Sequence, residues 1–241
     1  HLMLLFRNEE RRPDETYARL FRAGTIDGLL IWGTVPESAL HAELEEHELP
    51  YLFITSRPAY VAPEAVNWIA SDYRSTAREV TAAILKTGCR KLLYLAGPEK
   101  SSVAAEMRRG VDDALAGTGV ALVSRYSQYT PEDAREAAFQ ALREEPFDGI
   151  LNVSRDMAPG ILAAAARAGL AEESFRMATI DCAASRPPLP QELATGLADD
   201  LAIGRVAIES LLELIERKTN RVQKLIPGKT VLNPRFFPNQ G

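Results

Sequence analysis

The chain has 241 residues, of which 46% are hydrophobic, 25% charged and 7% aromatic. This composition is ordinary for a soluble globular protein, and it excludes disordered, collagen-like and small disulfide-bonded classes. The formal net charge of -5 lacks the basic excess expected of a nucleic-acid-binding surface. No run approaches the roughly 18 apolar residues that a membrane span needs, and residues 1–6 are too short for a secretory signal. We therefore expect a cytoplasmic protein with no membrane partner.

Short apolar runs alternate with amphipathic stretches along the whole chain. The predicted strands span 2–6, 26–32, 50–54, 65–70, 91–97, 120–126, 147–153, 175–181 and 193–198, with a final pair at 222–226 and 229–234. The predicted helices span 14–23, 37–48, 74–87, 101–116, 131–144, 157–168 and 202–217. This alternation is typical of parallel sheets covered on both faces, and it predicts an α/β fold. In such folds, ligands bind beyond the carboxyl ends of the strands.

Cysteine and histidine usage points away from disulfide and metal chemistry. Cys89 and Cys182 lie far apart without a CxxC motif. We interpret them as free thiols in a reducing compartment, with a disulfide as the alternative. His41 and His47 are six residues apart and do not share a helix face, so we expect no metal site.

Common enzyme motifs are absent from the sequence. There is no GxGxxG, GxSxG or HExxH string, and residues 97–102 lack the second glycine of a P-loop. The paired acids Asp199 and Asp200 are explained more simply as a helix start than as a catalytic dyad. The residues alone therefore predict no cofactor, and they leave two alternatives: a ligand-binding protein, or an enzyme without a readable motif.

Five segments carry a recognisable signature in register over nearly the whole chain. They are DYRSTAREVTAAILKTGCRKLLYLAGP (72–98) with MRRGVDDAL (107–115), FDGILNVSRDMAPGILAAAARAGL (147–170), FRMATIDCA (175–183), LPQELATGLADDLAIGRVAIESLLELIE (189–216) and VLNPRFFPNQ (231–240). Together they resemble the lactose-repressor/galactose-repressor (LacI/GalR) family of transcriptional regulators.

The resemblance implies two Rossmann-like parallel-sheet subdomains joined by three crossovers, which is the periplasmic-binding-protein-like I fold. Carried over, the N-terminal subdomain spans 1–89 with 195–217, and the C-terminal subdomain spans 90–194 with 218–241. Family members are usually homodimers that hold a small-molecule effector in the cleft and bind operator DNA through an N-terminal helix-turn-helix. The chain starts where the family has its second strand. We therefore expect the first strand, the first helix and the DNA-binding headpiece to lie upstream in a longer protein.

Two positions depart from the family's pattern in the cleft. Met107 stands where the family commonly has an arginine that clamps effector oxygens; Arg108 could compensate, or Met107 merely packs its helix. Ser154 and Arg155 stand where the family has Asn-Asp. Ser154 keeps hydrogen-bonding capacity. Arg155 either pairs with Asp156 at the surface or points into the cleft, where it would favour a carboxylate or phosphate ligand.

Other positions match the family's effector contacts. Asp181 ends a predicted strand and matches an aspartate that contacts effector hydroxyls or amines. Tyr129 matches an aromatic residue that stacks on the effector ring, with core packing as the alternative. Ser101 and Val103 match a polar pair, and Val103 makes that wall more apolar. With two loop residues of the other subdomain, the predicted effector site comprises Ser56, Tyr73, Ser101, Val103, Met107, Tyr129, Ser154, Arg155 and Asp181.

The sequence thus predicts the effector-sensing and dimerisation domain of a bacterial LacI-type regulator. The effector is expected to be a sugar-like small molecule that is either anionic or partly apolar. An anionic effector would be bound through Arg155, Arg57 or Lys100. The alternative is a periplasmic small-molecule binding protein that serves a transporter. A third interpretation, an α/β enzyme, has no motif in its favour.

Overall fold

The computed structural model describes residues 16–32, 38–55, 62–170, 176–183 and 189–238. The chain divides into two compact units, which are described separately below. The first unit comprises 1–70 and 202–224, and the second comprises 71–201 and 225–241. The chain therefore passes between the units three times, after Ala70, Leu201 and Lys224, as the predicted crossovers require.

Ten strands and seven α-helices are formed by the described residues. The strands are β1 (Leu29–Trp32), β2 (Tyr51–Thr55), β3 (Trp68–Ser71), β4 (Lys91–Ala96), β5 (Ala121–Tyr126), β6 (Gly149–Asn152), β7 (Met177–Ala183), β8 (Glu192–Ala198), β9 (Gln223–Ile226) and β10 (Lys229–Leu232). The helices are α1 (Thr16–Arg22), α2 (Ser38–Glu46), α3 (Tyr73–Leu85), α4 (Ser102–Leu115), α5 (Pro131–Glu144), α6 (Ala158–Arg167) and α7 (Asp200–Ile215). The predicted strand 2–6 lies outside the described residues.

The first unit is built on a sheet with the strand order β1-β2-β3-β9. The β1–β2 and β2–β3 pairs are parallel, with Leu29 opposite Tyr51 and Phe53 opposite Trp68. The apolar side chains of α2 and of these strands form one core, which includes Leu44 and Phe53, each at most 2% exposed. Burial of such large side chains stabilises this unit.

The second unit is built on a six-stranded sheet with the order β10-β8-β7-β6-β4-β5. All neighbours from β8 to β5 are parallel, whereas β10 runs antiparallel to β8, with Thr230 opposite Gly196. A second core surrounds this sheet and includes the fully buried Leu92, Tyr94 and Leu151. Strands β4, β6 and β8 are buried along almost their whole length, which explains their nearly continuous apolar sequences, whereas the edge strands β5 and β10 are partly exposed.

The observed division of the chain differs from the predicted one at residues 71–89, 195–201 and 218–224. Helix α3 belongs to the second unit because it packs against α4 and also contacts β7 and β8. Its contact with α4 is close, since a Cβ on Gly110 would lie 2.1 Å from the carbonyl oxygen of Arg74.

Cys89 is a buried free thiol, as predicted; the side chain of Cys182 lies outside the described residues. None of the helices in the described ranges is long and apolar enough to cross a membrane.

Candidate functional site

Several of the residues that the sequence singles out lie at the carboxyl edge of the second unit's sheet. Strands β4, β6 and β7 are parallel neighbours, so the loops that follow them emerge at one edge. Ser101 lies in the loop after β4, and Ser154 follows β6. Asp181 lies near the end of β7. Tyr73 is the first residue of α3 and follows the N-cap residue Asp72. The Asp72 side chain accepts a hydrogen bond from the Ser75 backbone N–H at 3.0 Å.

A β-bulge occurs in β7 at the position of Asp181. Thr179 pairs with Thr195 and Cys182 pairs with Leu197, so β7 holds one residue more than β8 in this interval. An extra residue in one strand interrupts the ladder and turns the side chains next to it. The irregularity thus falls on the one acidic residue of this strand.

Tyr129 lies over the loop that follows β4. Its hydroxyl is 3.3 Å from Oγ of Ser101, and 37% of the residue is exposed. The ring fits only because Gly97 has no side chain: a Cβ there would lie 2.4 Å from the tyrosine oxygen. Ser101 also caps α4 by accepting a hydrogen bond from the backbone N–H of Ala104. Tyr129 therefore has an ordered hydroxyl and a partly exposed ring.

Asp181 interacts electrostatically with several ionisable groups of this edge. Burial raises its pKa to about 7, and the charges of Asp200 and Asp156 contribute to the rise. Burial also raises the pKa of Tyr73 and of Tyr129, and the Asp181 carboxylate adds to both shifts. The structure therefore brings Asp181, Tyr73 and Tyr129 into one electrostatic cluster.

The Asp181 carboxylate has neither a hydrogen-bond donor nor a cationic partner among the residues that the structure describes. Moving a carboxylate from water into a buried position is energetically unfavourable unless the group gains a hydrogen-bond donor or a cation as a partner. A ligand that donates hydrogen bonds supplies such a partner. The arrangement can therefore bind hydroxyl or amine groups at Asp181 and a ring against Tyr129.

Arg155 does not lie at the surface, where one of the two sequence-based interpretations places it. It is only 8% exposed, and its guanidinium forms an ion pair with Glu192, which is fully buried. The same glutamate accepts hydrogen bonds from the Thr179 hydroxyl, from the Thr195 hydroxyl at 3.1 Å and from the Leu189 backbone N–H at 2.8 Å. The surface location predicted for Arg155 is therefore wrong, because Glu192 holds its charge inside the second unit.

Met107 packs in the core of the second unit and is 1% exposed. The structure thus favours packing over a role in effector contact for this residue. The neighbouring Arg108 donates hydrogen bonds from Nε to Asp112 at 2.8 Å and from Nη1 to the Ser124 hydroxyl at 3.0 Å, so two of its nitrogens are engaged within the second unit.

The remaining predicted positions have local roles or lie outside the described ranges. Val103 is partly buried and packs against the core. Ser154 accepts a hydrogen bond from the backbone N–H of Asp156 at 3.3 Å, which caps a short 3₁₀ helix at Arg155–Met157. Ser56, with the neighbouring Arg57, lies outside the described residues. Within the described ranges, no cluster of histidine, cysteine and acidic side chains could hold a metal ion.

Sequence reasoning missed Glu192. One signal was available: a glutamate directly before the apolar run 193–198 enters a sheet that is covered on both faces. A buried acid in such a place requires a partner. The sequence alone does not show that this partner is an arginine 37 residues upstream.

Comparison with known proteins supports the same family. A family model described as Periplasmic binding protein domain matches residues 61–219, more than half of the chain. The HTH-type transcriptional regulator CelR of Thermobifida fusca is 28% identical over 125 residues, which are 50% of this chain and 36% of that protein. The HTH-type transcriptional regulator AscG of Escherichia coli strain K12 is 23% identical over 187 residues, 76% of this chain and 50% of that protein. The chain thus spans half or less of the length of these relatives.

Solved structures share the fold. A regulatory protein of the LacI family from Chloroflexus aggregans has a TM-score of 0.80 at 20% identity, covering 94% of this chain and 82% of that one. A transcriptional regulator CelR in complex with cellobiose has a TM-score of 0.78 at 20% identity, covering 91% of this chain and 68% of that one. The chain therefore belongs to the periplasmic binding protein domain family, and its resemblance to LacI/GalR transcriptional regulators is confirmed.

Proposed function

We propose that this chain is the effector-sensing and dimerisation domain of a bacterial LacI-type transcriptional regulator of the cytoplasm. It binds a small, sugar-like molecule and forms a homodimer. Effector binding alters the affinity for operator DNA, which is contacted by a headpiece outside this chain. The coupling free energy between two such sites is typically about 1–3 kcal/mol. The chain acts as a ligand-binding protein rather than an enzyme.

The observation that carries this proposal is the Asp181 carboxyl at a strand bulge, without a hydrogen-bond donor among the described residues and beside two tyrosines. A carboxylate accepts hydrogen bonds from vicinal hydroxyls, and a partly exposed aromatic ring packs on the apolar face of a sugar. Ser101 adds a hydroxyl that already lies 3.3 Å from the Tyr129 oxygen.

The comparisons favour a regulator over a transporter receptor. Both curated relatives are transcriptional regulators, and one solved neighbour is a regulator in complex with the disaccharide cellobiose. The hypothesis of an anionic effector is weaker than the sequence suggested, because Arg155, one of the three basic residues on which it depends, is already paired with Glu192.

Isothermal titration calorimetry of this chain with glucose, galactose and cellobiose tests the proposal. We expect at least one of these sugars to bind, and Asp181→Asn to weaken that binding at least about tenfold, since hydrogen bonds to a charged group contribute about 1.5–3 kcal/mol. Glu99→Gln is the control, because Glu99 is exposed on the loop after β4. Binding that is equally strong in the Asp181→Asn variant would overturn the assignment of this site.

The homodimer is tested separately by sedimentation velocity over a range of concentrations. A sedimentation coefficient that stays at the value for a single chain across the micromolar range would contradict it.

A further inference from the structure

Two bulges of opposite sign interrupt the pairing of β7 with β8. The first lies in β8, between the pair Met177–Glu192 and the pair Ala178–Ala194. Consecutive residues of β7 there face residues of β8 that are two positions apart, so β8 contributes the extra residue. The second is the bulge at Asp181 described above, where β7 contributes the extra residue. One extra residue in each strand leaves the pairs outside the two bulges in a common register.

Between the two bulges the register is displaced by one residue. Thr179 lies opposite Thr195 in this segment, whereas the register of the flanking pairs would place it opposite Ala194. The flanking register would also place Asp181 opposite Gly196 in an uninterrupted ladder. The two bulges therefore depend on each other, because either one alone would shift all later pairs of these strands by one residue.

One side-chain hydrogen bond is specific to the bulged form of β8. Glu192 and Thr195 are three residues apart, and side chains at that spacing in a regular strand point to opposite faces. In the bulged strand the Thr195 hydroxyl donates to Oε2 of Glu192 at 3.1 Å. Both residues are fully buried, so a regular strand would separate this donor from this acceptor without water to replace the bond. The hydrogen bond therefore stabilises the bulge.

The other threonine that binds Glu192 does not distinguish the two registers. The Thr179 hydroxyl donates to Oε1 of Glu192, and the carboxylate is further anchored by its ion pair with Arg155. Thr179 lies two residues beyond Met177, which is opposite Glu192, so the two side chains share a face of the sheet in either register. Of the two threonines, only Thr195 requires the bulge in order to reach the carboxylate.

Gly196 gives an independent indication that the bulge at Asp181 is fitted to β8. A Cβ on Gly196 would lie 2.0 Å from the carbonyl oxygen of Ile180, the residue before Asp181. A glycine inside a strand often marks a close approach by another backbone. The bulged backbone of β7 thus occupies space that a side chain on β8 would need, and the position of Asp181 depends on the course of β8.

We propose that Glu192 is a positioning residue for the candidate site. By binding Thr195 it stabilises the first bulge, and through the compensating second bulge it sets the orientation of Asp181. The inference rests on the proposed function, because that function assigns Asp181 to the ligand; Glu192 itself does not touch the ligand. In a regular ladder Asp181 would point to the same face of the sheet as the fully buried Thr179, which would remove its carboxylate from the assigned position.

Interstrand nuclear Overhauser effects between backbone protons report the register directly, and calorimetry with glucose, galactose and cellobiose reports the site. In the unmodified chain we expect Thr179 to contact Thr195. In Thr195→Val we expect residue 179 to contact Ala194 instead. Sugar affinity is expected to fall at least about tenfold in this variant, because hydrogen bonds to the Asp181 carboxylate are lost. Thr195→Ser restores the hydroxyl and is expected to restore both the register and the affinity.

Thr179→Val is the matched control. It also removes one hydroxyl from the Glu192 carboxylate, but it removes the bond that is compatible with both registers. We expect the register to stay displaced and sugar affinity to stay within about twofold of the unmodified chain, because no contact of the ligand is altered. Thermal melts followed by circular dichroism verify that each variant is folded.

A double variant provides a second test of the register. Arg155→Met/Glu192→Leu removes the carboxylate without leaving a buried charge, and such apolar replacements of buried ion pairs are often neutral or stabilising. We expect its register to be regular, with residue 179 opposite Ala194. This measurement decides the register whether or not Thr195→Val folds.

Each other outcome contradicts a defined part of the inference. If the unmodified chain lacks the contact between Thr179 and Thr195, or if the register stays displaced in Thr195→Val and in the double variant, Glu192 does not hold the bulges. If Thr179→Val also loses the displaced register, the effect is not specific to the bulged form and the inference is overturned. If the register changes and sugar affinity does not, Glu192 does not position Asp181, while the proposed function stands. If none of the three sugars binds the unmodified chain, the sugar-like effector of the proposed function and the positioning role are both wrong, and the spectra still decide the register.

Discussion

Asp181 is a carboxyl group whose ionisation is unfavourable in its buried position. Its pKa is raised to about 7, from 3.8 for an ordinary aspartate, chiefly by burial. Between these two values the folded chain binds more protons than the unfolded chain. The free energy of unfolding therefore falls as the pH rises from about 4 to about 7, and the loss persists above that range. Under the proposed function, a ligand that donates hydrogen bonds to Asp181 would offset this destabilisation.

Asp181→Asn is expected to remove this contribution to the pH dependence. The variant gains stability relative to the unmodified chain as the pH rises, by an amount on the order of a few kcal/mol between about pH 4 and about pH 8. Urea unfolding at both pH values measures the difference. Glu99→Gln, which changes an exposed carboxyl, is the control. An identical pH dependence for Asp181→Asn and the unmodified chain would show that Asp181 ionises like an ordinary aspartate.

Gly97 controls the position of Tyr129. A Cβ on Gly97 would lie within 2.6 Å of three atoms of the tyrosine, so Gly97→Ala displaces the ring rather than the strand. We expect sugar binding to weaken about tenfold with a loss of stability of less than about 2 kcal/mol, because the ring moves toward solvent. Calorimetry and urea unfolding measure the two effects. In a Tyr129→Ala background the Gly97→Ala change is expected to be silent, and a full effect there would contradict this explanation.

At the scale of elements, the positions of helices follow from local sequence signals, whereas the pairing of distant side chains does not. The helix predicted over 131–144 coincides with α5, because Thr130 caps the helix by accepting a hydrogen bond from the Asp133 backbone N–H, and Pro131 starts its first turn. Such signals lie within a few residues of each other in the sequence. The pairing of Arg155 with Glu192 depends on strand neighbours and leaves no local pattern. Sequence reasoning therefore predicted helix α5 but did not predict that Glu192 pairs with Arg155.

Two helical glycines illustrate this difference and give a matched pair of variants. Gly110 in α4 approaches the backbone of α3, where a Cβ would lie 2.1 Å from the Arg74 carbonyl oxygen. A Cβ on Gly204 in α7 would have no described atom within 4 Å. We expect Gly110→Ala to destabilise the chain by about 1–3 kcal/mol or more through overpacking. Gly204→Ala is expected to stabilise it by up to about 1 kcal/mol through helix propensity.

Urea unfolding of the two alanine variants tests these opposite signs. The pair shares the same chemical change in a helix interior, so helix propensity alone predicts a gain for both. Equal gains in stability would show that α3 and α4 can separate without cost at Gly110. That result would also weaken the assignment of α3 to the second unit.

Among the described residues, each of the two units has an apolar core of its own. One core, with Leu44 in α2 and Phe53 in β2, belongs to the first unit, and the other, with Leu151 in β6, belongs to the second. The family resemblance implied three crossovers and carried α3 over to the N-terminal subdomain, whereas the contacts of α3 group it with the second unit. Its apolar face identifies a buried helix without identifying which sheet or helix buries it.

Separate cores predict separate unfolding transitions, and the tryptophans allow them to be distinguished. Both tryptophans, Trp32 and Trp68, belong to the first unit, so tryptophan fluorescence follows that unit, whereas far-ultraviolet circular dichroism follows both. Urea unfolding is therefore expected to show two phases by circular dichroism and one by fluorescence, a departure from two-state behaviour.

Matched leucine truncations assign the two phases. Leu52 and Leu151 are both fully buried strand residues, one in each unit, and Leu→Ala at such positions costs about 2–5 kcal/mol. Leu52→Ala is expected to shift the fluorescence-detected phase to lower urea, and Leu151→Ala to shift only the other phase. Because the proposed site lies in the second unit, a bound sugar should stabilise the phase that Leu151→Ala shifts. If either truncation moves both phases equally, the two cores unfold as one cooperative structure.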